Sequence, residues 1–178
     1  MSSDLAPDVA SDLVAELAAL RRRVDVLESQ DRIRRLRNSF HDFVNTDRWA
    51  EIGGLFTEDA ELDYDYLGRA SGRAAVGEFF AAIPRLLPAD AGAPFVRQFV
   101  HGHSVEVDGA AGDTATGTSH LFATPIYHGT SFLFSGRFAD TYARVDGEWL
   151  FASVTLEIWY SVPLAEGWAT GERHRMSL

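Results

Sequence analysis

The sequence contains no cysteine. That excludes disulfides, thiolate metal sites and a cysteine nucleophile, and it fits a cytoplasmic protein. No apolar run approaches the roughly 20 residues that a helix needs to cross a bilayer. The first ten residues are polar and acidic, without the basic start and apolar stretch of a secretory signal. Basic residues are in deficit, 16 against 26 acidic, for a formal net charge of -10. An acidic surface repels nucleic acid and anionic membranes, so neither is an expected partner. No glycine-rich phosphate loop, dinucleotide fingerprint or nucleophile elbow occurs.

What is present is a chain of 178 residues, 46% hydrophobic and 24% charged. This is the size and composition of one domain with a substantial core. Residues 1–10 read as a disordered lead. Ser11 or Asp12 caps a predicted helix that runs to about Ser29. Its apolar residues Leu13, Leu17, Leu20, Val24 and Leu27 are spaced four, three, four and three apart, a short heptad seam. A seam of two heptads must pack on its own domain or on a partner subunit. A second helix is predicted from Asp31 to about Asn45, carrying Ile33, Leu36, Phe40 and Phe43. A third, shorter one follows Asp47.

Glu61–Tyr66 alternates acidic and apolar residues and reads as a strand. Gly68–Gly72 reads as a turn and Ala74–Leu87 as a helix. From Phe95 the composition shifts to Val, Phe, Tyr, Trp and Thr. Four strands are predicted, Phe95–Val107, Thr114–Thr124, Ser131–Val145 and Glu148–Ser161, the last two joined by a tight Asp146-Gly147 hairpin. Helices followed by an antiparallel meander give an α+β fold. The domain is expected to span residues 11–165, with 166–178 a surface tail.

Ser135–Trp149 reads SGRFADTYARVDGEW and is similar to the hairpin of SnoaL-like proteins. Phe56-Thr57-Glu58-Asp59-Ala60, the stretch Gly68–Arg73 and the strand end Ser104–Gly109 resemble three further motifs of that family, in the same order. The chain is thereby identified as resembling the NTF2-like superfamily. The long N-terminal helix and the ending Trp159–Leu164 are most similar to the branch of bile-acid 7α-dehydratase and hexachlorocyclohexane dehydrochlorinase. Scytalone dehydratase and polyketide cyclases are more distant. The resemblance implies a cone-shaped fold with a curved sheet around a pocket, no cofactor, a hydrophobic small-molecule ligand, and a homotrimer or homodimer.

That branch employs an Asp–His dyad, in which an imidazole takes a proton and a carboxylate orients it. By alignment Asn45 stands at the Asp position and Gln98 at the His position, and neither is a base near neutral pH. Phe40 replaces a tyrosine of the branch, and Ile158 lies where the branch places a pocket arginine. His101 and His103 are expected to share a strand face with Phe99, Val105 and Val107. A bulge before Gly102 is a route by which His101 takes the catalytic position. Tyr64 falls where scytalone dehydratase carries a pocket tyrosine, and its hydroxyl suits a developing oxyanion. His120 is within reach of His101. Glu157 is the strand carboxylate that could replace the lost Asp, with a solvent position as its alternative. His101-x-His103 also suggests a metal pair, with His120 or Glu106 as a conceivable third ligand, but Glu106 has the wrong strand parity and no second motif accompanies it.

The first functional expectation is a cofactor-independent enzyme acting on a polyketide-like or polycyclic molecule by cyclisation, isomerisation or elimination. His101 and Tyr64 would do the chemistry. Phe40, Asn45, Gln98, His103, His120 and Ile158 would contact substrate. The alternatives are a non-catalytic binding protein of the same fold, or a β-type structural subunit of an oxygenase.

Overall fold

In a computed structural model of the chain, the described residues are 6–86, 96–108 and 112–169. The two predicted N-terminal helices are one, α1, running from Ala6 to Asn45. Nothing between Ser29 and Asp31 breaks it. Ser29 does not cap a new start; its hydroxyl donates back to the Asp25 carbonyl at 2.7 Å, inside the helix. Residues 6–10, expected as part of a disordered lead, belong to this helix; residues 1–5 lie outside the described ones. The predicted third helix is a 3-10 segment, Trp49–Leu55.

Strand β1 spans Phe56–Asp63, earlier than predicted, and is followed by a 3-10 turn, Asp65–Leu67. The predicted turn holds a short strand, β2, at Arg69–Ser71. Helix α2 runs Arg73–Ala82 and tightens into a 3-10 turn at Ile83–Leu86, where Pro84 cannot donate to a regular α-helical ladder. Then come β3 (Gln98–Asp108), β4 (Thr114–Ala123), a two-residue β5 (Ile126–Tyr127), β6 (Thr130–Val145) and β7 (Glu148–Pro163). The β6–β7 hairpin turns at Asp146 and Gly147, both with positive φ (52° and 85°), as a tight primed turn requires.

The order across the sheet is β2-β1-β7-β6-β4-β3, with β5 on β6. Strands β3, β4, β6 and β7 form the expected antiparallel meander, but β1 joins β7 in parallel. The sheet is therefore mixed. One face is packed by the C-terminal half of α1, by α2 and by the Trp49–Leu55 segment. Along β4 and β6 the inward residues alternate strictly, Ala115 to Ala123 and Phe134 to Tyr142.

The centre of the core is aromatic. Phe40 of α1 sits 5.3 Å from Phe80 of α2 and 6.0 Å from Phe151 of β7, edge to face, and Phe56 lies 5.2 Å from Phe151. Gly53 of the 3-10 segment meets Gly77 of α2 so closely that a Cβ on Gly53 would stand 2.9 Å from the Gly77 Cα. No helix among the described residues is long and apolar enough to cross a membrane.

Candidate functional site

The aromatic core does not fill the cone. A cavity of about 440 Å3 remains between the curved sheet, α2 and the end of α1. Phe79, Phe80 and Ile83 wall it on the helical side, and Leu121, Phe134 and Leu156 on the sheet side. Val44, Trp49, Tyr64, Leu67, Val96, Gln98, Pro125 and Tyr127 also line it. The volume suits a small organic ligand, and the walls suit an apolar one.

Tyr64 is placed by the break that ends β1. Its N–H donates to the Gly68 carbonyl at 2.9 Å, and the left-handed Asp65 (φ 53°) turns the chain away. The ring is buried, stacked edge-on to Phe79 and Phe80 at 5.7 and 5.4 Å. Its hydroxyl has no hydrogen-bond partner among the described residues. Burial pushes the phenol well above its ordinary value, with the nearby Arg37 charge acting the other way. At neutral pH it is a neutral donor, desolvated and unspent.

Gln98 is the second polar wall group, and three bonds hold it. The Asn45 amide donates to its carbonyl at 2.8 Å and accepts from its N–H at 2.7 Å. Behind it, His41 Nδ1 lies 2.7 Å from the side-chain Oε1. An amide oxygen only accepts, so Nδ1 carries the proton and Nε2 a bare lone pair. Gln98 then has its NH2 to offer a ligand. The His41 imidazole is packed against Phe40 and Phe138, with Nε2 unpartnered. Burial, reinforced by the Arg37 charge, holds its pKa down to about 3. It is therefore neutral at physiological pH and a weak base.

A buried polar chain continues from this point. Arg37 of α1 is fully buried and ion-paired with Asp140 of β6. Its guanidinium lies over the rings of Phe138 and Phe151, at 4.4 and 4.6 Å. Tyr142 donates its hydroxyl proton to Asp140 at 2.9 Å. Its oxygen lies 3.2 Å from His103 Nε2, which must then be the donor. Burial pushes the Asp140 carboxyl up, while Arg37 and Tyr142 oppose it. Burial and two arginine charges hold His103 down to about 4.

These positions correct several sequence expectations. The bulge near Gly102 exists (φ 65°, with the β3–β4 register shifting between His101 and Ser104), but it acts in the opposite sense. It leaves Phe99 and His101 outside and turns His103, Val105 and Val107 inward. His101 is exposed and stacks on His120 at 5.8 Å, on the sheet face away from the cavity. His120 also contacts Trp159 there, at 5.4 Å. Neither histidine reaches the cavity, and the two residues of the supposed metal pair, His101 and His103, face opposite ways. Among the described residues no three His, Asp or Glu side chains cluster as metal ligands.

Phe40 is core, walled by other phenylalanines, and does not line the cavity. Asn45 is spent on the Gln98 backbone. Ile158 is buried outside the cavity; its N–H donates to Asp65 Oδ2 at 3.1 Å, which ties the turn after β1 to β7. Glu157 is exposed on the outer face. The structure thus brings Tyr64 and Gln98 to the cavity, puts His103 in the polar chain behind it, and places the others elsewhere.

Arg37, His41, Asp140 and Tyr142 escaped the sequence reading. Their signal was periodicity. Arg37 and His41 fall within the stripe Ile33, Phe40, Val44, and Asp140 alternates inward with Phe138 and Tyr142. A search for apolar residues alone passes over polar ones on the same face.

The chain belongs to the family described as the SnoaL-like domain, whose model matches residues 25–155. No curated protein matches it by sequence. Among solved structures, the hexachlorocyclohexane dehydrochlorinase of Novosphingobium barchaimii LL02 is similar with a TM-score of 0.70 and 18% identity, over 87% of this chain and 99% of that one. A scytalone dehydratase-like protein of Novosphingobium aromaticivorans DSM 12444 matches with a TM-score of 0.65 and 21% identity, over 77% and 88% of the two chains. At these identities the likeness is one of fold. A protein of unknown function from Mycobacterium tuberculosis is 28% identical, with a TM-score of 0.60, over 72% of this chain and 75% of that one.

Proposed function

We propose that this chain is a cofactor-independent enzyme. It takes a hydrophobic molecule bearing a carbonyl or similar acceptor into the cavity and promotes its cyclisation, isomerisation or elimination. The observation that carries this reading is the Tyr64 hydroxyl: buried, neutral, without a hydrogen-bond partner, on a residue that lines an apolar cavity. The hydroxyl is covered, near Arg37 and Asp140, so a ligand oxygen would satisfy it once the ring shifts toward the cavity. Gln98 NH2 is the second donor. A hydrogen bond from either donor would stabilise charge that develops on a ligand oxygen in enolisation or elimination, and the shaped wall would restrict the ligand to reactive conformers. The similarity to a dehydrochlorinase and a dehydratase-like protein supports a lyase-type reaction without specifying one.

A second reading, a non-catalytic binding protein, is favoured by one observation. The positions of the family dyad hold Asn45 and Gln98, bound to each other, and His41 behind them is too weak a base to replace the pair.

The experiment is to titrate the pure protein with polycyclic and polyketide-like ketones, following the fluorescence of Trp49 in the cavity wall, and to assay each ligand bound for turnover. Turnover lost about 100-fold in Tyr64→Phe, with binding reduced about tenfold or less, supports the enzyme. Ligands bound by the wild type but never turned over establish the second reading. Absence of binding by any apolar ligand overturns both.

A further inference from the structure

Among the described residues, the first half of α1 is largely uncovered. The second half lies on the sheet through Ile33, Leu36, Phe40 and Val44, all buried. N-terminal to Ser29 the helix stands clear of the domain. Leu13, Leu17, Leu20, Val24 and Leu27 are each between 47% and 65% exposed. At about 100° per residue, this seam is centred roughly 160° around the helix from the face that packs on the sheet. Where the helix docks, the same line continues as Asp31, Arg34 and Asn38, all exposed and polar. The apolar seam thus faces away from the domain and ends where the domain begins.

We propose that residues 13–28 pair with the same segment of a second copy of this chain, as a parallel, in-register, two-stranded coiled coil. The heptad places Leu17 and Val24 at a, and Leu13, Leu20 and Leu27 at d. At the second of the two a positions the β-branched Val24, with leucine at every d, favours two parallel strands. The flanking charges fix the register. In a parallel pair each g residue faces the e residue five positions later on the other helix. Glu16 then faces Arg21 of the second copy, and Arg23 faces Glu28 of the second copy; each attraction occurs twice by symmetry. Val9 and Val14, both exposed, extend the contact with an apolar pair at the same spacing. A slip of one heptad sets Glu16 against Glu28 and Arg23 against Arg21, all repulsive. Glu28 is available for this, since among the described residues its ion-pair contact is a long, exposed one of 4.0 Å to Arg32.

The test uses the full chain. Sedimentation across a dilution series is expected to give a reversible dimer. Leu20→Asp should raise its dissociation constant about 100-fold, with the cavity unchanged, because Leu20 lies on the exposed face of the helix, away from the sheet. Glu16→Arg alone should weaken the dimer several-fold, and Glu16→Arg with Arg21→Glu should restore it. Because the protein has no cysteine, Val24→Cys reports orientation directly. Facing a positions in a parallel pair cross-link under mild oxidation, whereas Arg22→Cys, on the outer side of the helix, does not. A monomeric wild type, or a dimer indifferent to Leu20→Asp, overturns the proposal. A Leu20-dependent dimer in which Val24→Cys fails to cross-link overturns the parallel register.

Discussion

His41 on α1 holds the side chain of Gln98 on β3 from behind, Nδ1 2.7 Å from Oε1, while Asn45, one turn along the same helix, clasps the backbone of the same residue. One helix thereby sets both the position and the rotation of a cavity-wall donor.

If His41 acts through Gln98, the two are coupled. Gln98→Leu should weaken binding of a carbonyl ligand about tenfold, the loss of one hydrogen bond. His41→Phe should cost several-fold on its own. In the Gln98→Leu background it should cost nothing further. A double-mutant cycle of ligand dissociation constants measures this, and additive losses would show that His41 does not position Gln98.

The same histidine makes stability depend on pH. Its folded pKa of about 3 lies below the ordinary 6.5. Between these values the unfolded chain binds a proton that the folded one does not. Stability therefore rises with pH through this window and is lost as acid is added below 6.5, by about 1.4 kcal/mol per pH unit from this group. His103 acts in the same direction, less strongly because it is only half-buried. Urea midpoints measured from pH 7 to pH 4 should fall less steeply in His41→Gln than in the wild type.

The buried pair Arg37–Asp140 should respond asymmetrically to mutation. Asp140→Asn leaves a guanidinium in the core without a counter-charge and is expected to cost about 3–5 kcal/mol. Replacing both residues, Arg37→Met with Asp140→Leu, should recover most of that loss. Chemical denaturation of the three proteins tests the order.

Tyr64→Phe should leave stability unchanged or slightly raised in the ligand-free protein, since the hydroxyl it removes is buried and unpaired. A loss above about 1 kcal/mol would mean that the hydroxyl has a structural partner. Thermal melts with and without ligand separate the two roles, because ligand stabilisation should shrink in the variant.

Gly136 lies at a register shift between β6 and β7, where a Cβ would stand 2.5 Å from the Glu157 carbonyl oxygen. Gly136→Ala should cost about 1–3 kcal/mol or more, since backbone must move. Gly54→Ala has open space around it and should change stability by less than about 0.5 kcal/mol. Denaturation midpoints of the two variants make the comparison.

The α+β class, the long strands from Gln98 onward and the tight Asp146-Gly147 turn were legible because each rests on a local period or on one residue's backbone preference. The wall position expected of Tyr64 rested on the resemblance to scytalone dehydratase rather than on a local pattern, since β1 ends at Asp63. The expected break between two N-terminal helices is absent, since the Ser29 hydroxyl bonds within the helix, and the bond it makes is not written in the local pattern. The parallel pairing of β1 with β7 joins segments nearly 100 residues apart, and no local pattern carries it. The direction of the Gly102 bulge was likewise undetermined. A bulge reverses the facing of every residue beyond it, so the choice between His101 and His103 waited on which neighbours each would meet. The polar pair Arg37–Asp140 and the His41–Gln98 contact arise only when helix and sheet meet. The sequence by itself set which segments are helix, strand and turn, because those depend on neighbours a few residues away. Tertiary packing alone decided which polar side chains face inward and what they hold, because desolvation and hydrogen-bond geometry exist only once distant strands and a helix lie against one another.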